Sequence, residues 1–258
     1  MRREQLSLLG PARNQHLFSN HWLEHRLPRE PEWDALRDEA QKALERIASV
    51  WEQQKDRVTG YGEQGLEYAF IQPVLESLGW HIDYQTVFRH RKPDYALFRS
   101  DEDLGKANKA GRNQSEYWKF PAILADAKAW SVSLDRPTGG GKAKEYPPQQ
   151  IEWYLNESRL PFAILTNGSL WRLIPRQHES NQPRFETYLE CDLTELLSLW
   201  AAVREKGQRA MEQLWRVMDV FHRFYLFFSP AVRPPGPSPP STPSPRRTTR
   251  PDPRCSGS

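Results

Sequence analysis

Asp126 and Lys128 close the run FPAILADAKAW, residues 120–130, with one alanine between them. On a strand, residues i and i+2 point to one face, so this carboxylate and ammonium project together while Ala127 points the other way. A second acid, Asp94, follows Pro93 at the start of another short apolar run, PDYALF. If the two runs are neighbouring strands, Asp94 and Asp126 meet at one sheet edge. Two carboxylates with a backbone carbonyl make a hard oxygen site suited to Mg²⁺. The Lys128 ammonium can hold or help deprotonate a water there, and a metal can stabilise charge on a phosphate. D-x-K by itself arises by chance about once in a chain of this size. What singles this one out is its place: it follows four apolar residues and a P-D on a preceding strand, and Gln150 and Tyr154 come after it in a helical Q-x-x-x-Y.

The elements that must position these groups follow from the spacing of apolar residues. Trp33, Leu36, Ala40, Leu44, Ile47, Val50 and Trp51 recur at helical intervals and predict a long amphipathic helix over residues 31–57. Phe70, Val74, Leu75 and Leu78 predict a second helix, ended by Gly79 and kinked or restarted at Pro73. The period then changes. HIDYQTVF alternates, PDYALF and AILADAKAW are short apolar runs, and the three predict strands. RSDEDLGKANKAGRNQSEYWK, between the second and third, reads as polar surface. YPPQQIEWYLNES predicts a helix opened by proline, and FAILTNGSLWRLIP two strands turned at Asn167-Gly168. RFETYLECDL adds a strand, and residues 193–228 read as helical with a break near Gly207.

Composition bounds the class. With 258 residues, 38% of them hydrophobic and 12% aromatic, the chain can build a sizeable core, and a formal charge of +3 permits a polyanionic partner without requiring one. Cys191 and Cys255 lack C-x-x-C spacing, which argues against a structural zinc site or a disulfide framework and fits a reducing cytoplasm. The sequence shows neither a signal peptide nor a membrane span. RPTGGGKA fails as a phosphate loop, because Arg136 and Ala143 stand where glycine and a hydroxyl residue are needed. His16, His21 and His25 lack the further ligands of a zinc site. From Pro230 the chain turns to Pro, Ser, Arg and Thr, which cannot bury a core and predicts disorder.

In order, NQHLFSNHWLEHRLP, FIQPVLESLGW, PDYALF, DAKAW, PPQQIEWYL and ILTNGSLWRL resemble the PD-(D/E)xK nuclease superfamily. The likeness is in particular to the N-terminal nuclease region of single-chain restriction-modification enzymes and of type I restriction motor subunits, and it covers most of residues 14–175. The resemblance implies an α/β, restriction-endonuclease-like core of order αβββαβ over residues 61–192. An N-terminal segment and helix (residues 1–60) precede it, and a helical connector (193–229) and Pro-rich tail (230–258) follow. It implies an endonuclease that cuts double-stranded DNA with Mg²⁺ in the cytoplasm. Asp94 and Asp126 would ligate the metal with the Ala127 carbonyl, and Lys128 would position the attacking water. The helix before the first strand would add a glutamate, Glu63 or, by preference, Glu67. Gln150 would support the site or contact DNA. The basic cluster Arg89, Arg91 and Lys92 would suit phosphate contacts. The methyltransferase and target-recognition modules of such enzymes do not fit in this chain, which makes separate methyltransferase or recognition subunits candidate partners. The rival expectation is a truncated, catalytically inert remnant that only binds DNA or partners. In either case FHRFYLFF is expected to lie exposed, without its usual neighbour.

Overall fold

Seven strands form one mixed sheet in the order β1-β7-β6-β5-β4-β3-β2. They are β1 (Ala12–Gln15), β2 (His81–Tyr84), β3 (Tyr95–Phe98), β4 (Ile123–Ala127), β5 (Phe162–Thr166), β6 (Leu170–Pro175) and β7 (Tyr188–Asp192). The computed structural model describes residues 11–84, 93–137, 146–177, 186–206 and 211–231. Neighbouring strands pair antiparallel except β4 and β5, which run parallel. A parallel pair needs a crossover. Here the connection carries Lys128, a loop and helix α6 (Pro147–Ser158) over one face.

The other helices are α1 (Pro31–Ala35), α2 (Arg37–Gln54), α3 (Glu63–Leu66), α4 (Gln72–Ser77), α5 (Asp101–Ala110), α7 (Leu193–Lys206) and α8 (Met211–Phe228). The chain is therefore α/β, with helices flanking a mixed sheet. Alternation along β3 and β4 splits the core in two. Tyr95, Leu97, Ala125 and Ala127 join the cluster formed with α2, α4, α7 and α8. Ala96, Phe98 and Leu124 join Ile151, Tyr154 and Leu155 of α6.

Several elements differ from the sequence expectation. The helix expected over 31–57 is two helices, because the backbone turns at Leu36 (φ −101°, ψ 3°). That turn lets Trp33 stack on His222 of α8, 4.3 Å between rings, while α2 buries Ala43, Leu44 and Ile47. β1 has no apolar alternation and exists by pairing with β7, Ala12 opposite Cys191. α5 lies inside the stretch read as polar surface. Its start signals were present: Ser100 accepts the Asp103 N–H at 3.2 Å, and Asp101, Glu102 and Asp103 fill the first turn. Only Ala107 of this helix is buried, so periodicity gave no cue. FHRFYLFF is not exposed: Phe221, Phe224, Phe227 and Phe228 are buried, and Trp80 Nε1 donates to the Phe228 carbonyl at 2.7 Å. Among the described residues no helix is long and apolar enough to cross a membrane. The break expected at Gly207 and nearly all of the Pro-rich tail lie outside the described residues.

Candidate active site

The register of β3 and β4 sets the geometry. Tyr95 pairs with Ala125, Ala96 with Leu124 and Leu97 with Ile123, so one step further Asp94 faces Asp126. Directly opposed residues have Cβ atoms roughly 4.5–5.5 Å apart. The two acids, which the sequence separates by a polar stretch and a helix, thus meet at one end of the sheet. Asp94 Oδ2 accepts the Ala127 N–H at 2.7 Å, which ties the start of β3 to the end of β4. Lys128 continues the parallel ladder by donating its N–H to the Thr166 carbonyl at 2.8 Å. Its ammonium, on the same face as Asp126, forms an ion pair with Asp126 Oδ2.

Glu67 reaches this end of the sheet from the helical layer. It stands where α3 passes into a π-helical turn, Glu67–Ile71, and is 3% exposed, whereas Glu63 is exposed. An extra residue in a helical turn re-aims a side chain and is frequent at functional sites. The Tyr84 hydroxyl donates to Glu67 Oε2 at 2.8 Å. Tyr95, whose ring lies 5.5 Å from that of Tyr84, has a fully buried hydroxyl with no hydrogen-bond partner among the described residues. Burial raises its pKa, and the carboxyls of Glu67 and Asp94 add to the effect.

Among the described residues the site is short of positive charge. Burial, reinforced by the charge of Asp126, pushes the Asp94 carboxyl up to about 8. Burial also raises Glu67, with the Tyr84 hydrogen bond opposing it. For Lys128, burial works against the ammonium, but the attraction of Asp126 outweighs it and the pKa ends above the ordinary lysine value. Among the described residues three buried or half-buried carboxyls therefore share one cation. That donor set fits a hard divalent ion, since Asp94, Asp126 and the Ala127 carbonyl are all oxygen ligands at one strand end. Among the described residues no three His, Cys, Asp or Glu side chains gather as a ready-made cluster. Two carboxylates and a carbonyl do not require one, because Mg²⁺ usually keeps several waters.

The segment after Lys128 is held from below. The Trp130 ring stacks on Trp51 (6.1 Å between centroids, 13° between planes) and covers Gly168 in the β5–β6 turn. Asn167 Nδ2 donates to the Val132 carbonyl at 3.0 Å. Arg172, 1% exposed, donates to the Leu134 carbonyl at 3.2 Å and to Asp135 at 2.8 Å, and its Nε pairs with Glu190 at 2.5 Å.

The structure thus brings together Glu67, Asp94, Asp126, Ala127 and Lys128. Gln150 lies on α6, over the face from which Asp126 projects, and its amide donates to the Tyr154 hydroxyl at 3.1 Å, one turn on in the same helix. Arg89, Arg91 and Lys92 lie outside the described residues, as does most of the Gly-rich loop after Arg136. The rings of His21 and His25 approach to 4.9 Å. Tyr84, Tyr95, Asn167 and Arg172 were missed from sequence. For Arg172 a signal existed: an arginine inside the apolar run LWRLIP needs a buried acid opposite, and YLECD supplies Glu190. Compared with known proteins, the chain matches no protein-family model, no curated protein and no solved structure.

Proposed function

We propose that this chain is a Mg²⁺-dependent DNA endonuclease with a restriction-endonuclease-like core, as the resemblance to PD-(D/E)xK nucleases implies. The observation that carries the reading is the placement of Asp94 opposite Asp126 across two antiparallel strand ends, with Lys128 two residues on and paired to Asp126. A structural salt bridge explains Lys128 and Asp126 but gives no reason for a second, half-buried carboxyl whose ionised form is disfavoured.

Asp94, Asp126 and the Ala127 carbonyl would hold the ion. When bound, Mg²⁺ supplies charge stabilisation on the scissile phosphate and makes a coordinated water more acidic. Lys128 stays protonated, so it orients the attacking water and neutralises phosphate charge as a hydrogen-bond donor. Glu67, fixed by Tyr84, accepts a hydrogen bond from water on the helical side of the site. Attack by the water oxygen on phosphorus breaks the P–O3′ bond. The water's proton passes to solvent, the leaving 3′ oxygen takes up a proton from solvent to become a hydroxyl, and a 5′-phosphate remains.

The test is plasmid cleavage with Mg²⁺ and with EDTA, for the native chain and for Asp126→Ala and Lys128→Ala. Nicking or linearisation that needs the metal and both residues is expected. A folded native chain that binds DNA yet leaves it intact at every Mg²⁺ concentration would overturn the reading in favour of a binding module.

A further inference from the structure

Away from the candidate site, a groove of about 1010 Å³ opens where the described chain ends. It lies at the upper limit for small-molecule pockets and is lined mainly by apolar side chains. Three aromatic rings form its wall. Phe18 stacks on Trp22 at 5.5 Å and on Phe227 at 4.8 Å, and Trp22 meets Phe227 at 6.3 Å. Phe18 and Trp22 are only half-buried, which leaves an aromatic surface facing water. Two exposed acids, Glu30 and Glu32, stand at the rim.

Pro230 and Ala231 themselves line this groove. The chain is fastened there, because the Arg99 side chain donates to the Pro230 carbonyl at 3.3 Å and Gly79 lies beneath the Pro230 ring. The next residues read VRPPGPSPP, with Arg233 as their single charged residue. Such a sequence cannot build a core, but it loses little entropy on adopting the left-handed polyproline helix. Grooves walled by aromatic rings bind that helix, with acids at the rim selecting a flanking arginine. Nine residues in this form span roughly 28 Å at 3.1 Å each, enough to run the length of such a groove.

We propose that residues 232–240 of this chain occupy the groove, with prolines against Phe18 and Trp22 and Arg233 against Glu30 and Glu32. Tethering favours this occupant over any free partner. A segment attached at Ala231 is present at an effective concentration on the order of millimolar, so a contact too weak to detect between separate molecules is still largely made. The proposal is independent of the nuclease reading.

The experiment places a nitroxide at position 238 of the full chain, by Ser238→Cys with Cys255→Ser. The remaining thiol, Cys191, is 2% exposed and should not label. The readout is broadening of the Trp22 indole N–H signal, with the exposed Trp215 as an internal control. The reference is a chain of equal length in which residues 233–240 other than 238 are glycine and serine. Broadening of Trp22 several-fold beyond that reference, with Trp215 unaffected, is the expected result. Glu30→Lys with Glu32→Lys should remove the excess, and Arg233→Glu in that background should restore it. Broadening no greater than the glycine-serine reference would overturn the proposal. So would excess broadening that persists when nitroxide and isotope are carried on different molecules, since the occupant would then be a second copy.

Discussion

At the scale of single residues, the candidate site holds groups that work against the stability of the fold. Asp94 and Asp126 are like charges at one strand end, and burial raises the cost of ionising Asp94. Asparagine at position 94 keeps an oxygen that can accept the Ala127 N–H while removing the charge. Asp94→Asn is therefore expected to raise stability at pH 7.5 by about 1 kcal/mol while lowering Mg²⁺-dependent cleavage at least 100-fold. Urea denaturation and plasmid nicking on one preparation check both halves. Tyr84→Phe removes the hydrogen bond to Glu67 and leaves the ring in place. It should lower cleavage by roughly 10-fold with little change in unfolding midpoint, since such a bond contributes about 1 kcal/mol net. Asp94, Asp126 and Lys128 were legible as a set because acids and a lysine at the ends of apolar strands are rare enough to stand out. Tyr84 and Tyr95 were not, because a tyrosine on a strand looks the same whether its hydroxyl meets water or a carboxylate.

Elements set those groups in place through a few tight contacts. Gly168 lies at φ +87°, and an added Cβ would sit 3.1 and 3.2 Å from the Trp130 ring and 3.3 Å from Leu66. Gly168→Ala combines backbone strain with a push on the segment that follows Lys128. A loss of about 2 kcal/mol is expected, with reduced cleavage even at temperatures where the variant is folded. A second contact gives the fold a pH dependence. His222 on α8 is 4% exposed, stacks on Trp33, and has an Nε2 without a hydrogen-bond partner among the described residues. Burial, aided by Arg37 and Arg223 and opposed by Asp219 and Asp34, lowers its pKa to about 4. The neutral ring is favoured in the fold, so its stabilisation is complete above the unfolded value near 6.5 and is lost as pH falls from there through 4. Between pH 7 and pH 4.5 the loss should be about 2–3 kcal/mol. The difference in urea midpoints between the native chain and His222→Phe isolates it. The helix and strand expectations agree with the structure where an apolar stripe or run is buried, as in α2, α6 and β3 to β6. They missed α5, which has start signals but only one buried residue, and β1, which its pairing with β7 defines.

On the scale of the whole molecule, the segment expected to act as a connector is part of the core. Phe224 of α8 is 2% exposed, stacks on Phe228 at 4.7 Å and meets Trp171 of β6 edge-on at 6.0 Å. Phe224→Ala should cost about 3–5 kcal/mol, enough to unfold a marginal protein. A chain ending at Asp192 should lose near-UV circular dichroism and cooperative unfolding rather than behave as a free-standing domain. The sequence reads α8 as part of a helical stretch. It could not show what the apolar face would meet, because the partners, Trp33 and Trp171 among them, come from distant parts of the chain.

The pairing of Ala12 with Cys191 also orders events in time. The first of the described strands is completed only by the last of them, roughly 180 residues later, which at 5–20 residues per second is a wait of about 10–35 s on the ribosome. Throughout that interval the nascent chain carries the residues of the candidate site without the finished sheet and helical layer that position them. Any activity the molecule has is therefore acquired only once β7 has been made and Ala12 and Cys191 have come together.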